Sequence, residues 1–504
     1  MNDLTFSIRI AAHRRRLVSL GECRLRGNRI TLLLGESGIG KSLVARSLFG
    51  LLDPDDFTIQ INGTDYRAYL TDKTLSLMQE KGFFVFQEPS SHLNPLMTVQ
   101  AQLHEGSLAH WPDPGGSLRQ LWEDGHAKDA DKLLPIYPKP YRPSGGEKQR
   151  ILLAMALSKI DLLRSSRGGT EGGVFVFDEP TGSLDNRYRD LFLAQLLKRF
   201  REKPFTVLFI THDYSLINHI ATAHGDLMPR VDFRELARSG SGLVFREFEP
   251  TTYSTWLSSL RHSPAGVRSR SSETLLTLES ALTVFGRPLE VTADPKGLRP
   301  STLVVRPGRL TYLKAPSGTG KTTIAKALMG LVSVESIKAT VKGLKISATT
   351  QRSDWRKYVW GKSMTMVFQH ADEALNMHST VEETLGQLPV QKGGKPRSIQ
   401  ENLSELFDGE PTMLKKMVWM LSGGQKQRLN LLRGLLLSTD ILILDEPLNG
   451  LDFESCTRVV EMLRGKLARG TGILVISHNE EIFDALTDEE DRYYLHARPS
   501  NLHD

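Results

Sequence analysis

Two lysines close glycine-rich octets, "GESGIGKS" at 35–42 and "APSGTGKT" at 315–322. Glycines let the backbone curl until successive N–H groups face one anion, and the N-terminus of a following helix adds positive potential. In the first octet Gly35, Ser37, Gly38 and Gly40 would line a phosphate cradle, Lys41 would reach the β- and γ-phosphates, and Ser42 would offer its hydroxyl to Mg²⁺. The second octet supplies Ser317, Gly318, Gly320, Lys321 and Thr322, with Thr323 next in line. It begins with Ala315 where the pattern wants glycine. If that position needs positive φ, alanine costs about 1–2 kcal/mol.

Acids, histidines and glutamines recur at matching distances. "VFVFDEP" (174–180) and "ILILDEP" (441–447) each end an apolar run in two acids. Asp178 and Asp445 would hold Mg²⁺ through water. Glu179 and Glu446 would polarise an attacking water, a role worth roughly 10²–10⁴-fold. His212 and His478 also end apolar runs and would bond the γ-phosphate or orient that water. Gln87 and Gln369 would complete the Mg²⁺ shell. Alone, each is better read as a strand-end acid, a structural histidine or a surface glutamine. Their recurrence decides otherwise: Lys41 to Gln87 spans 46 residues and Lys321 to Gln369 spans 48, while Asp178 to His212 spans 34 and Asp445 to His478 spans 33.

The elements that must position these groups can be read around them. "ITLLL" before Gly35 is a buried strand candidate, and Val44, Leu48 and Leu51 follow at helical spacing. Ile324, Leu328 and Leu331 repeat the pattern. The runs before the acids read as buried parallel strands, whose carboxyl ends gather ligands in open α/β sheets. The expected fold is α/β, written twice: a first domain over 1–260, a linker over the polar, basic 261–273, and a second domain over 274–504. "RSSRGGTEGG" (164–173) reads as a surface loop present in the first copy alone.

Composition narrows the class. The 504 residues are 39% hydrophobic and 24% charged, with net charge +6, too dilute to indicate nucleic acid. Two cysteines, Cys23 and Cys456, exclude a disulfide framework. No run of about 18 apolar residues is present to span a membrane. The basic run of the N-terminus follows its apolar residues, opposite to a signal peptide.

A third repeated phrase carries no acid-base chemistry: "PSGGEKQR" (143–150) and "LSGGQKQR" (421–428). With it, the chain resembles the ATP-binding cassette (ABC) ATPases over nearly its whole length. Six family motifs match in each half, including the "SLD" (183–185) and "GLD" (450–452) loops. The resemblance implies two P-loop cassettes in tandem, each a RecA-like parallel-sheet core with an antiparallel β part and a small helical subdomain. It implies ATP and Mg²⁺ as ligands. It also implies a head-to-tail pair in which Ser422, Gly423 and Gly424 cap the γ-phosphate held by 35–42, and Ser144, Gly145 and Gly146 cap that held by 315–322. A serine hydroxyl and glycine N–H groups at a helix start suit that task. Pro143 and Glu147 depart from the family's leucine and glutamine. The family stacks adenine on an aromatic at the end of an early strand, for which Phe285, and His13 in the first copy, are candidates.

"FQEPSSHLNPLMTV" (86–99), echoed by "FQHADEALNMHSTV" (368–381), resembles importer ATPases of the oligopeptide, dipeptide and nickel group. This implies a fused pair of importer ATPase subunits on the cytoplasmic side of the inner membrane. It would drive two separately encoded permease subunits, with an extracytoplasmic solute-binding protein and no nucleic acid. The cysteine-rich C-terminal extension common in that group is missing. Two alternatives belong to other classes. A soluble tandem cassette acting on ribosomes or nucleic acid needs a long charged arm between copies, and only 109 residues separate His212 from Lys321. A cassette partner of a soluble enzyme complex, such as one for phosphonate breakdown, is the other.

Overall fold

Strands of three to nine residues lie parallel, five in each half, and their order across the sheet is the same twice. The computed structural model describes residues 3–12, 15–106, 113, 115–122, 127–139, 142–165, 172–182, 184–239, 242–262, 273–315, 319–386, 388, 403, 407 and 411–498. The chain divides into two compact units, Met1–Thr252 and Tyr253–Asp504. In the first, the strands run Val231–Ser239, Ile30–Leu34, Thr206–Ile210, Val174–Asp178 and Phe83–Val85, all parallel. In the second they run Arg492–Ala497, Leu310–Lys314, Gly472–Ile476, Ile441–Asp445 and Met364–Val367.

The central strands are buried at every residue in Ile30–Leu34, Val174–Asp178, Thr206–Ile210, Ile441–Asp445 and Gly472–Ile476. That is why their sequences are continuous apolar runs rather than alternations. In the first unit Phe177 packs on Phe192 and Phe209 with ring centroids 5.4 and 5.9 Å apart. The strand carrying the acids is thereby clamped to its neighbour and to the helix Asn186–Glu202 behind it.

The antiparallel parts differ between copies. In the first unit, Gly242–Glu247, Arg15–Leu25, Leu4–Ala12, Thr58–Ile61 and Thr64–Asp65 extend the parallel strands into one ten-stranded sheet. In the second, only Arg287–Thr292 and Ala281–Val284 extend it, and a separate four-stranded sheet forms from Leu303–Val305, Leu276–Leu278, Ala339–Val341 and Leu344–Ile346. Short helices Val99–Gly106, Gly116–Arg119 and Ala127–Asp131 stand in the first copy between the strand of Gln87 and the long helix Gly145–Ser165. The second copy has Val381–Gly386 at that place, and most of 387–410 lies outside the described residues.

The helix Pro250–His262 runs up to the stretch expected as a linker, of which 263–272 lies outside the described residues. Its Tyr253 and Trp256 rings sit 6.2 and 5.2 Å from Phe453, so they pack with the second unit. Among the described residues, no helix is long and apolar enough to cross a membrane.

Candidate active site

Strand Ile30–Leu34 delivers the chain to Gly35 at φ 139°, where an added Cβ would meet the carbonyl oxygen of Leu236 at 2.6 Å. Both the backbone angle and the close approach require glycine. Ala315 is not among the described residues with positive φ. The strain anticipated for alanine there therefore does not arise. Gly38 and Gly40 hold φ 78° and 116°, and Gly320 holds 107°. Helices Lys41–Leu48 and Lys321–Leu328 begin at Gly40 and Gly320 with no side-chain cap, so their first N–H groups face the loop. Ser317 and Gly318 lie outside the described residues.

In the first copy six predicted residues converge. Lys41 Nζ donates to the carbonyls of Gly35 (2.6 Å) and Glu36 (2.9 Å) and stands 3.7 Å from Glu179 Oε1. Ser42 Oγ donates to Asp178 Oδ1 at 2.7 Å. Gln87 Nε2 donates to Glu179 Oε2 at 3.1 Å, and His212 Nδ1 lies 3.1 Å from the same oxygen. In the second copy Lys321 Nζ lies 3.2 Å from the His478 ring nitrogens and 3.9 Å from Glu446 Oε1. Thr322 Oγ1 donates to Gln369 Oε1 at 3.4 Å. His478 Nε2 is 3.3 Å from Glu446 Oε1. Thr323 follows Thr322 on the same helix, half-buried.

Both glutamates adopt a backbone that the sequence did not announce. Glu179 and Glu446 have φ 47° and 50°, left-handed for a residue with a Cβ. Each such residue costs about 1–3 kcal/mol and persists only where surroundings fix it. Here the backbone N–H groups of Glu179 and Glu446 donate to Ile210 O (3.0 Å) and Ile476 O (2.8 Å) on the strands that end in the histidines. The acid and the histidine are thus locked together through the sheet.

The two sites differ electrostatically. Burial works to raise the Glu179 carboxyl, but His212 and Lys41 outweigh it and hold the group well below the usual range. Burial works against a His212 cation, and Glu179 reverses this, so His212 is raised. Glu446 is raised by burial despite Lys321 and the hydrogen bonds from the His478 N–H and Ser477 Oγ, each 3.0 Å long. Burial pushes both Asp178 and Asp445 up to about 6. Among the described residues, Asp178 Oδ2 and both carboxylate oxygens of Asp445 lack a hydrogen-bond partner, although Arg46 Nε stands 4.0 Å from Asp178 Oδ2. Buried carboxylate oxygens with spare lone pairs, beside Ser42 or Thr322 hydroxyls, fit a hard divalent cation.

The repeated serine-glycine phrases start the helices Gly145–Ser165 and Gly423–Leu436. Ser422 Oγ accepts from Gln425 N while Gln425 Oε1 accepts from Ser422 N, at 3.3 and 3.0 Å. Ser144 and Glu147 make the same reciprocal pair at 3.3 and 2.8 Å. Glu147 therefore replaces glutamine without losing the cap. The spacing Ser-x-x-Glu/Gln is a capping box and was the signal available in sequence. A Cβ added at Gly145 or Gly423 would meet nothing within 4 Å. Gly146 and Gly424 follow on the same turns. The Arg142–Pro143 peptide before the first cap is cis.

At the far end of the first phrase, the Arg150 guanidinium carbon lies 3.6 Å from the Trp122 ring centroid and 3.9 Å from that of Tyr188. Its Nε and Nη1 have no hydrogen-bond partner among the described residues. Arg428 in the second copy instead donates to Ser455 Oγ at 3.2 Å and lies 5.3 Å from the Phe407 ring. Phe285 occupies a two-residue hairpin turn with Gly286, both at positive φ, and is exposed. His13 lies outside the described residues. The Asp185 and Asp452 that end the "SLD" and "GLD" loops cap the helices Asn186–Glu202 and Phe453–Ala468.

Glycine loops, buried acids and histidines meeting at the carboxyl ends of a parallel sheet define a class, the P-loop nucleoside triphosphatases. The family model described as "ABC transporter" matches residues 22–163 and 298–449, and the chain belongs to that family. It is an ATP-binding ATPase with two cassettes. The chain is 26% identical to the "Peptidoglycan transport ATP-binding protein YejF" of Agrobacterium fabrum, covering 91% of this chain and 84% of that one. It is 24% identical to the "Glutathione import ATP-binding protein GsiA" of Escherichia coli, covering 92% and 79%. Among solved structures, "RNase-L Inhibitor" aligns at TM-score 0.60 with 19% identity, covering 97% of this chain and 89% of that one. That likeness is one of fold.

Proposed function

We propose that the chain is the ATP-hydrolysing subunit of an importer of the peptide or nickel type, resident at the cytoplasmic face of the inner membrane. It would power two permease subunits encoded separately, fed by an extracytoplasmic solute-binding protein. The observation that carries the reading is full-length similarity to relatives named for peptidoglycan transport and glutathione import, each matched across both cassettes. The segment 86–99, which joins Gln87 to the helical part, supports it from within the chain.

In this reading Mg²⁺ is held by Ser42, Asp178 and Gln87 in the first site and by Thr322, Asp445 and Gln369 in the second. When bound, it neutralises charge on the phosphates. Lys41 and Lys321 bind the β- and γ-phosphates beside the loops. Glu179 and Glu446 take the proton of the attacking water, with His212 and His478 orienting it against the γ-phosphate. Catalysis is then mostly positioning and charge stabilisation. Ser422, Gly423 and Gly424 cap the nucleotide of the first loop, and Ser144, Gly145 and Gly146 that of the second. The empty space over Gly145 and Gly423 supports this: packing within the copy does not call for glycine there, while close approach of a phosphate does. The unlike settings of Glu179 and Glu446 support two sites of unequal rate.

Purification of the tagged chain from detergent-solubilised membranes is the test. Two multi-spanning permeases are expected to co-purify. Co-sedimentation with ribosomes, sensitive to salt, with no permease recovered would overturn the importer reading.

A further inference from the structure

The turn that carries His212 is fastened in the first copy by a guanidinium from the helix that follows the "SLD" loop. Arg189, on the helix Asn186–Glu202, is buried. Its Nη1 donates to Asp213 Oδ2 and to Ser215 Oγ, both at 3.0 Å, and its Nε donates to Asp190 Oδ1 at 2.9 Å. Asp213 is the residue after His212. Its other oxygen accepts from Ser215 N (3.0 Å) and Ser215 Oγ (2.6 Å), and its own N–H donates to Thr211 Oγ1 at 3.0 Å. Every polar atom of the turn 211–215 side chains named here is therefore directed, and the anchor of the set is a guanidinium from another element.

The equivalent residues of the second copy are Cys456 and Asn479. Cys456 is buried and cannot pair with an acid, and the Asn479 side chain donates within its own turn, to Ser477 Oγ. The histidines differ accordingly. The His212 side chain is 21% exposed and sits against Glu179, whereas His478 is 37% exposed and is shared between Glu446 and Lys321.

We infer that Arg189 is a positioning residue of the first ATP site: through Asp213 it holds the His212 ring against Glu179, in register with the helix that follows the "SLD" loop. The second copy has no arginine at that place, and its turn is held otherwise: Glu481 accepts from the Tyr253 hydroxyl at 3.2 Å and Glu480 stands 3.4 Å from Lys314 Nζ. The inference rests on the reading of Glu179 and His212 as the hydrolytic pair.

The test compares full-length Arg189→Gln, Asp213→Asn, His212→Ala and Arg189→Gln/His212→Ala for steady-state ATP turnover, ATP KM and melting temperature. Arg189→Gln and Asp213→Asn are expected to lower kcat by at least half of the logarithmic loss seen in His212→Ala, with KM within about two-fold of the parent. The double variant is expected to fall no further than His212→Ala, because the two act as one unit. Arg189→Lys, which keeps a cation for Asp213, is expected to regain most of the lost kcat. Asp213→Asn is nearly isosteric and keeps the comparison alive if Arg189→Gln fails to fold. Full turnover in His212→Ala would sink the underlying reading. A crippled His212→Ala beside unimpaired Arg189→Gln and Asp213→Asn, or an additive double variant, would sink the inference while leaving that reading intact.

Discussion

Glu179 and Glu446 have left-handed backbones, buried carboxylates and a histidine each, yet opposite electrostatic settings. Glu179→Gln and Glu446→Gln each remove the proposed proton acceptor while keeping size. Together they are expected to lower turnover by at least roughly 10²-fold with ATP binding retained, as read by phosphate release and nucleotide titration. The single variants are expected to differ from one another. A second residue-scale prediction concerns Lys466, whose ammonium is buried against Leu437 O at 2.6 Å and whose pKa burial lowers from 10.5 to about 8. The folded state disfavours its proton, so the penalty is fully present below pH 8 and fades as pH rises toward 10.5. That lowering bounds the penalty at about 3 kcal/mol. Lys466→Met is therefore expected to unfold at higher denaturant than the parent at pH 7, with the gap closing near pH 10. At this scale the sequence disclosed residue types and spacing well. Lys41, Ser42, Gln87, Asp178, Glu179 and His212 meet as expected. It did not disclose the φ of Glu179 or the Arg189 tie, because both depend on which strand and helix lie alongside, and neither leaves a local pattern.

At the scale of elements, the two phosphate loops are a natural comparison. Gly35→Ala must place a Cβ on Leu236 O while holding φ 139°. It is expected to destabilise the first cassette by about 2 kcal/mol or more, measured by denaturant unfolding of the full chain. Ala315→Gly relieves no strain and is expected to cost well under 1 kcal/mol, chiefly through unfolded-state entropy. The opposite ranking would show that the loops share one backbone path. The parallel strands were legible because burial on both faces writes a continuous apolar run. The antiparallel strands were not. One flank joins its sheet at a single pairing, Leu243 with Leu20, and such a meeting of distant segments has no signature in either one. The same limit hid the separate four-stranded sheet of the second copy.

For the whole molecule, the head-to-tail proposal makes each site depend on both copies. Residues 253–504 alone, held monomeric by dilution, are expected to bind ATP and turn it over at least about ten-fold more slowly than the full chain; mixing with residues 1–252 should restore the rate only at concentrations approaching the millimolar range that a short tether provides. Equal turnover by the isolated part would dismiss the proposal. The order of six motifs in each half made the tandem plan readable from end to end. The substrate was not readable, since every repeated motif in the chain addresses the nucleotide.

The Arg150 sandwich bears on how the parts of a cassette shift against one another. A flat cation held between Trp122 and Tyr188 resists being pulled away from either ring. Arg428 instead donates to the Ser455 hydroxyl. The same sequence phrase thus ends in an aromatic clasp in the first cassette and at a hydroxyl in the second, so displacing its helix meets dispersion and charge in one and a hydrogen bond in the other.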